Sequence, residues 1–266
     1  MRNDWFKIKQ ITKSIYAIDD RGEDILYLVV GKEKALLVDT GWGVGNLKKV
    51  VSTITDLPLI VVNTHGHPDH VSGDYQFSEI HIAEGDVPVL QQSFKEENRR
   101  WALENVLRGP FPDDFSAEQW LYSELPNIIP IKDKHLFDLG NKIIEVIEVP
   151  GHSPGCIVLI DHEERVLFSG DSILKGYTWL HLDHSTTLSK YLLSLKKLKT
   201  EMSKFDAILP AHSDFPLQAE IISEFISGAE DILEGRRKGI AHQTFAGDGL
   251  LCTFGSCGIV YNSSRL

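Results

Sequence analysis

Thr64-His65-Gly66-His67-Pro68-Asp69-His70 places three of the chain's eleven histidines and one aspartate within a single turn. Packing does not explain that density. Imidazole nitrogens and carboxylate oxygens are ligands that divalent zinc accepts readily, at roughly 2.0–2.2 Å. Gly66 permits a tight backbone, so that His65 and His67 can address one ion. Pro68 suits the first position of a short helix, which carries Asp69 and His70 to a neighbouring position. The run Leu59-Ile60-Val61-Val62 just before the turn is continuously apolar, the mark of a strand buried on both faces.

Working outward, three more ligand candidates occur. His152 lies in Val149-Pro150-Gly151-His152-Ser153-Pro154-Gly155, Asp171 in Phe168-Ser169-Gly170-Asp171, and His212 in Leu209-Pro210-Ala211-His212. Each follows a strand-like run, where rigid scaffold meets open space. Strands are predicted at residues 8–11, 14–18, 25–30, 35–38, 143–149, 157–160, 166–168, 207–209, 250–254 and 258–261. Helices are predicted at 46–55, 86–122, 186–203 and 217–235, the second interrupted at Gly109-Pro110-Phe111-Pro112. Two groups of strands, each followed by helices, imply two sheets packed together with helices outside. The whole of 1–266 reads as one domain, with the helical stretch at about 86–126 as a cap inserted over the site. Phe94 and Trp101 on that stretch read as core.

The 266 residues include 42% hydrophobic and 24% charged side chains, ordinary for a globular protein. The net charge of −11 argues against nucleic acid, whose phosphates normally require a basic patch. Cys156, Cys252 and Cys257 are odd in number and scattered, which argues against a disulfide framework. The opening MRNDWFKIKQITKSIYAIDD has no apolar run long enough for a secretory signal or a membrane span. The expectation is a cytoplasmic protein with reduced thiols, a small-molecule substrate and no membrane partner.

From Val38-Asp39-Thr40-Gly41 to His212, the ligand motifs and their order resemble the metallo-β-lactamase superfamily. The resemblance implies an α/β fold, an αββα sandwich of two mixed β-sheets flanked by helices, with metals at one edge. It implies two divalent ions per chain, zinc first and manganese or iron as alternatives. By the same carry-over His65, His67 and His152 hold the first ion, while Asp69, His70 and His212 hold the second. Asp171 bridges the two, and Asp39 supports the ligands from behind. Two ions a few ångströms apart share a water and lower its pKa, and the resulting hydroxide attacks a carbonyl or phosphoryl centre. Asp69 and Asp171 are then the catalytic carboxylates, Asp69 also taking part in proton transfer.

Branches of the superfamily separate on what is present. The commonest zinc β-lactamases carry a non-ligand at the position of His70 and a cysteine at that of Asp171. Glyoxalase II carries a C-terminal helical domain for glutathione, whereas the 54 residues after His212 end here in strand-like runs. Flavodiiron reductases need a glutamate at the position of His67. The leading expectation is hydrolysis of a small ester, lactone or thioester. Phosphodiesterase or β-lactamase activity, or a mononuclear iron persulfide dioxygenase, are the alternatives. The stretch after Asp171, read as a loop, offers Tyr177, Trp179 and His181 as substrate-pocket residues.

Overall fold

A computed structural model describes residues 5–266. It divides into two compact units, a first running to Ile131 together with Asp138–Lys142, and a second of Lys132–Phe137 with Ile143–Leu266. No helix among the described residues is long and apolar enough to cross a membrane.

The first unit is built on a seven-stranded sheet whose spatial order follows the chain. Its strands are β1 (Phe6–Gln10), β2 (Ile15–Asp20), β3 (Asp24–Val30), β4 (Ala35–Val38), β5 (Leu59–Val62), β6 (Glu79–Ala83) and β7 (Asn127–Ile131). The first four pair antiparallel through short turns. From β4 to β7 every pairing is parallel. Parallel neighbours need crossovers. These are α1 (Leu47–Ser52), α2 (Pro68–Val71), and the trio α3 (Val87–Ser93), α4 (Glu96–Asn105) and α5 (Ala117–Leu121).

The helices expected as a cap are thus the crossover between β6 and β7. Leu90, Ala102, Trp120 and Leu121 on them join Leu37, Val61, Ile80 and Ile82 of the strands in one buried cluster. Trp120 is fully buried and its indole Nε1–H donates to the Trp42 carbonyl at 2.8 Å. Phe94 packs against this cluster, but Trp101, expected there too, is 47% exposed on the outer side of α4.

The second unit holds two sheets. The larger contains β8 (Leu136–Asp138), β9 (Ile143–Glu148), β10 (Ile157–Asp161), β11 (Val166–Gly170), β13 (Ala207–Pro210) and β14 (Leu217–Gln218). The smaller joins β12 (Gly176–Leu180) to β15 (Ile240–Thr244), β16 (Gly247–Phe254) and β17 (Cys257–Tyr261). Helices α6 (Leu188–Thr200) and α7 (Ile221–Leu233) pack with both sheets in one core. On α6 the buried Leu188, Tyr191, Leu192, Leu195 and Leu198 recur at helical spacing, and Thr187 caps the start by accepting from Lys190 N–H at 3.1 Å.

An ion cluster on β9 yields a testable pH dependence. Glu145 accepts from Lys134 Nζ and Lys204 Nζ, each at 3.0 Å. Burial alone would raise its carboxyl; the two ammonium groups outweigh that and hold it at about 2, against an ordinary 4.5. A carboxyl depressed in the folded state adds stability above its unfolded pKa and loses it as pH falls towards the folded one. Glu145→Gln should therefore cost about 2 kcal/mol at neutral pH, after discounting for the half-exposed lysines. Urea denaturation should show the gap closing between pH 4.5 and 2. A gap that does not change with pH would contradict it.

Candidate metal centre

In the first unit the ligand candidates sit at the carboxyl ends of parallel β4 and β5. Val38 and Val62 are paired, and Asp39 N–H donates to the Val62 carbonyl at 2.9 Å. The strand ends therefore deliver Asp39 and the Thr64–His70 turn side by side. Asp39 adopts a left-handed backbone, φ 62°, which aspartate tolerates better than most residues. Its Oδ1 accepts the Thr64 backbone N–H at 2.7 Å. Its Oδ2 accepts the Thr64 hydroxyl at 2.8 Å and His70 Nδ1–H at 2.9 Å. The Thr64 Oγ1 in turn accepts from His65 Nδ1–H at 3.1 Å. One buried carboxylate thus sets the orientation of two histidines, His70 directly and His65 through a hydroxyl.

Those bonds leave each imidazole presenting Nε2. His65 Nε2 lies 2.9 Å from His67 Nδ1. His70 Nε2 lies 3.8 Å from Asp69 Oδ2 and 3.9 Å from Asp24 Oδ1. His67 forms the N-cap of α2 and Pro68 its first position, the arrangement the sequence implied. Gly66 has a different reason from the one expected. A Cβ there would meet Leu90 N at 2.5 Å and Asp86 O at 3.0 Å, so glycine is needed for the turn to lie against α3. Its N–H donates to Asp86 Oδ2 at 2.7 Å, and Ser93 Oγ donates to its carbonyl at 2.6 Å.

A further layer supports the turn. Asn63 Nδ2 donates to the His70 carbonyl at 3.3 Å and to Asp74 Oδ1 at 3.1 Å. Burial pushes the Asp74 carboxyl up to about 8, against the pull of Thr40 and Asn63.

In the second unit the candidates again stand at strand ends. β11 and β13 run parallel, so Asp171 and His212 leave the same edge. The register shifts between Phe168 and Gly170, and Gly170 takes φ 49°, re-aiming the chain as it reaches Asp171. Asp171 Oδ1 lies 3.2 Å from His212 Nε2, and its Oδ2 lies 3.5 Å from His152 Nε2. His152 sits in the turn between β9 and β10. Its Nδ1–H donates to the Trp179 carbonyl at 2.7 Å, and Ser185 Oγ donates to its own carbonyl at 2.8 Å.

These donor sets fit divalent metal. Ligand atoms each about 2.1 Å from one ion stand roughly 3–4 Å from one another, and the spacings within each unit run from 2.9 to 3.9 Å. His65, His70 and His152 each have Nδ1 tied to a hydroxyl, carboxylate or carbonyl. That is the outer-sphere pattern of metal-ligating histidines, which fixes the tautomer and presents Nε2.

Of the three residues expected to line a substrate pocket, Tyr177 and Trp179 do not lie on a loop. Tyr177 and Trp179 are on β12, paired parallel with β17, and His181 follows directly. Tyr177 is 42% exposed. The Trp179 ring meets those of Phe245 and His181 edge-on at 5.2 and 5.3 Å. His181 is buried, and its Nε2 lies 3.0 Å from Thr244 Oγ1. Asp24, which the sequence does not single out, is buried at the head of β3 with its Oδ1 3.9 Å from His70 Nε2.

The family model for the metallo-beta-lactamase superfamily matches residues 26–212. The acyl-coenzyme A thioesterase MBLAC2 of Bos taurus is 27% identical over 229 residues, covering 79% of this chain and 81% of that protein. Hydroxyacylglutathione hydrolase GloC of Haemophilus influenzae is 28% identical over 153 residues, covering 54% of this chain and 64% of that protein. A solved metallo-beta-lactamase from Pontibacter korlensis shares the fold at TM-score 0.55 and 19% identity, over 85% of this chain and 99% of that one. The chain belongs to the metallo-beta-lactamase superfamily.

Proposed function

We propose that this member of the superfamily is a dinuclear metal-dependent hydrolase of small acyl thioesters. In this reading His65, His67 and His152 hold one divalent ion, Asp69, His70 and His212 hold the other, and Asp171 bridges them. The observation that carries it is Asp171, whose two oxygens address two different histidines. When bound, the ions supply an acidified water and polarise the acyl oxygen, with zinc the first candidate and manganese or iron next. The chain's own groups orient and relay. Asp39 fixes the imidazoles of His65 and His70, and the Trp179 carbonyl fixes that of His152. The Asp69 carboxylate, 25% exposed beside fully buried His70, accepts the proton that an attacking water loses.

The thioester class is supported by two relatives named for thioester substrates. A thiolate also departs with little protonation, since thiols have pKa values near 8.5 on the usual scale. Tyr177 and Trp179, on the strand whose carbonyl holds His152, and Phe245 against the Trp179 ring offer aromatic surface suited to the acyl part. An acidic surface disfavours polyanionic nucleic acids. The test is kcat/KM on a short acyl-CoA, an aryl ester, a bis-aryl phosphate and a β-lactam, in zinc, manganese and iron forms. The thioester should lead the phosphodiester and the lactam by about tenfold or more, roughly 1.4 kcal/mol in transition-state binding. A tenfold lead for either of those two overturns the assignment. So does oxygen uptake with a persulfide in place of hydrolysis.

A further inference from the structure

Asp24 opens β3 immediately after a tight turn in which Arg21 and Gly22 take φ values of 60° and 82°. It stands directly across the hairpin from Asp20, on the same face. The two carboxylates have different surroundings. Asp20 accepts Trp5 Nε1–H at 2.5 Å and the Trp42 backbone N–H at 3.0 Å, and so ties the N-terminal segment to the Gly41–Gly43 turn. Asp24 is only 1% exposed, with its Oδ1 3.9 Å from His70 Nε2. One ligand atom each from Asp24, Asp69 and His70 can be chosen within 4.8 Å of one another.

The chemistry of these atoms decides what belongs among them. His70 gives its Nδ1–H to Asp39, so a neutral imidazole offers a lone pair at Nε2. With one oxygen each from Asp24 and Asp69, three groups able to give a lone pair to one cation stand within ligand distance, Asp24 and His70 buried and Asp69 25% exposed. An imidazole nitrogen with two carboxylate oxygens is a donor set that divalent ions accept. The 3.9 Å from Asp24 to His70 matches the 3.8 Å from Asp69 to His70, and both suit two ligands of one ion.

We infer that Asp24 is a further ligand of the ion held by Asp69 and His70, an eighth member of the ligand set. This rests on the dinuclear reading given above. A second carboxylate at that ion makes its surroundings richer in oxygen and favours harder ions such as manganese. Asp24→Asn should then lose manganese affinity by a larger factor than zinc affinity.

The experiment titrates chelator-stripped full-length protein with Mn and with Zn, reading stoichiometry and Kd by calorimetry and chelator competition. Wild type should bind two ions per chain. Asp24→Asn should keep the first ion and weaken the second by about tenfold or more, and Asp24→Glu should recover part of the loss. Folding is read separately from the melting temperature of the stripped proteins. Removing one of the converging carboxylates should leave the Asp24→Asn apo protein at least as stable as wild type, while its gain in melting temperature on adding metal shrinks. Two ions bound by wild type, with the second Kd in Asp24→Asn unchanged within twofold, overturns the assignment of Asp24 alone. The same holds if Asp24→Asn lowers apo stability and leaves the metal-induced gain intact. Wild type that binds fewer than two ions overturns the dinuclear reading and this inference together.

Discussion

Asp171→Ala is expected to lose most of one metal equivalent and to lower kcat/KM by about a thousandfold or more, roughly 4 kcal/mol. The loss should be this large because Asp171 is proposed to serve both ions. Its oxygens lie 3.2 Å from His212 Nε2 and 3.5 Å from His152 Nε2. A shared carboxylate offsets the mutual repulsion of two divalent charges, so its removal leaves that repulsion uncompensated. Asp171→Asn keeps the shape and removes the charge, and should fall nearly as far. The folded structure should survive both changes, because the residue stands at a strand end outside the apolar core. Elemental analysis and steady-state kinetics on the same preparation check the expectation. Two retained ions with activity within tenfold of wild type would contradict it.

Asp39→Asn is the second large effect. The substitution conserves volume, and asparagine tolerates the left-handed φ of 62° as well as aspartate does, so the backbone should not change. What changes is hydrogen bonding. Asp39 accepts from Thr64 N–H, the Thr64 hydroxyl and His70 Nδ1–H, and an amide cannot accept at both ends. His70 loses its anchor, and His65 loses its anchor through Thr64. Outer-sphere partners of this kind typically contribute 10–100-fold in metal affinity or activity. Since two ligands are affected, Asp39→Asn should fall near the upper end of that range. Thr64→Val cuts the path to His65 alone and should fall near the lower end. Chelator competition gives the Kd values; equal losses in the two variants would show that Asp39 does not act on both histidines.

Much of this centre was legible in the sequence, for local reasons. The His65–His70 turn follows an apolar run that is indeed a strand, β5, buried at Val61 and Val62 and half-buried at Leu59 and Ile60, and its ligand types lie within one short stretch. His152, Asp171 and His212 were each legible as residues following a strand, and the strands stand where the patterns put them. What escaped depends on partners distant in the chain. β12 pairs with β17, about eighty residues later, so nothing near Tyr177 distinguished a strand from a loop. β7 contains Pro130, which normally argues against a strand; it lies at the edge of its sheet, where a missing N–H is tolerated. The need for glycine at position 66 comes from α3, some twenty residues away. Asp24 becomes notable only once the β2–β3 register is known and the head of β3 is found beside His70.

The metal content of wild-type protein bears most directly on all of this. Protein purified without chelator and supplemented with zinc, manganese or iron should carry close to two ions per chain by elemental analysis. The second ion should leave first on mild chelation, and hydrolytic activity should fall with it. Occupancy at or below one ion per chain in every supplemented form, with activity intact, would contradict the dinuclear account.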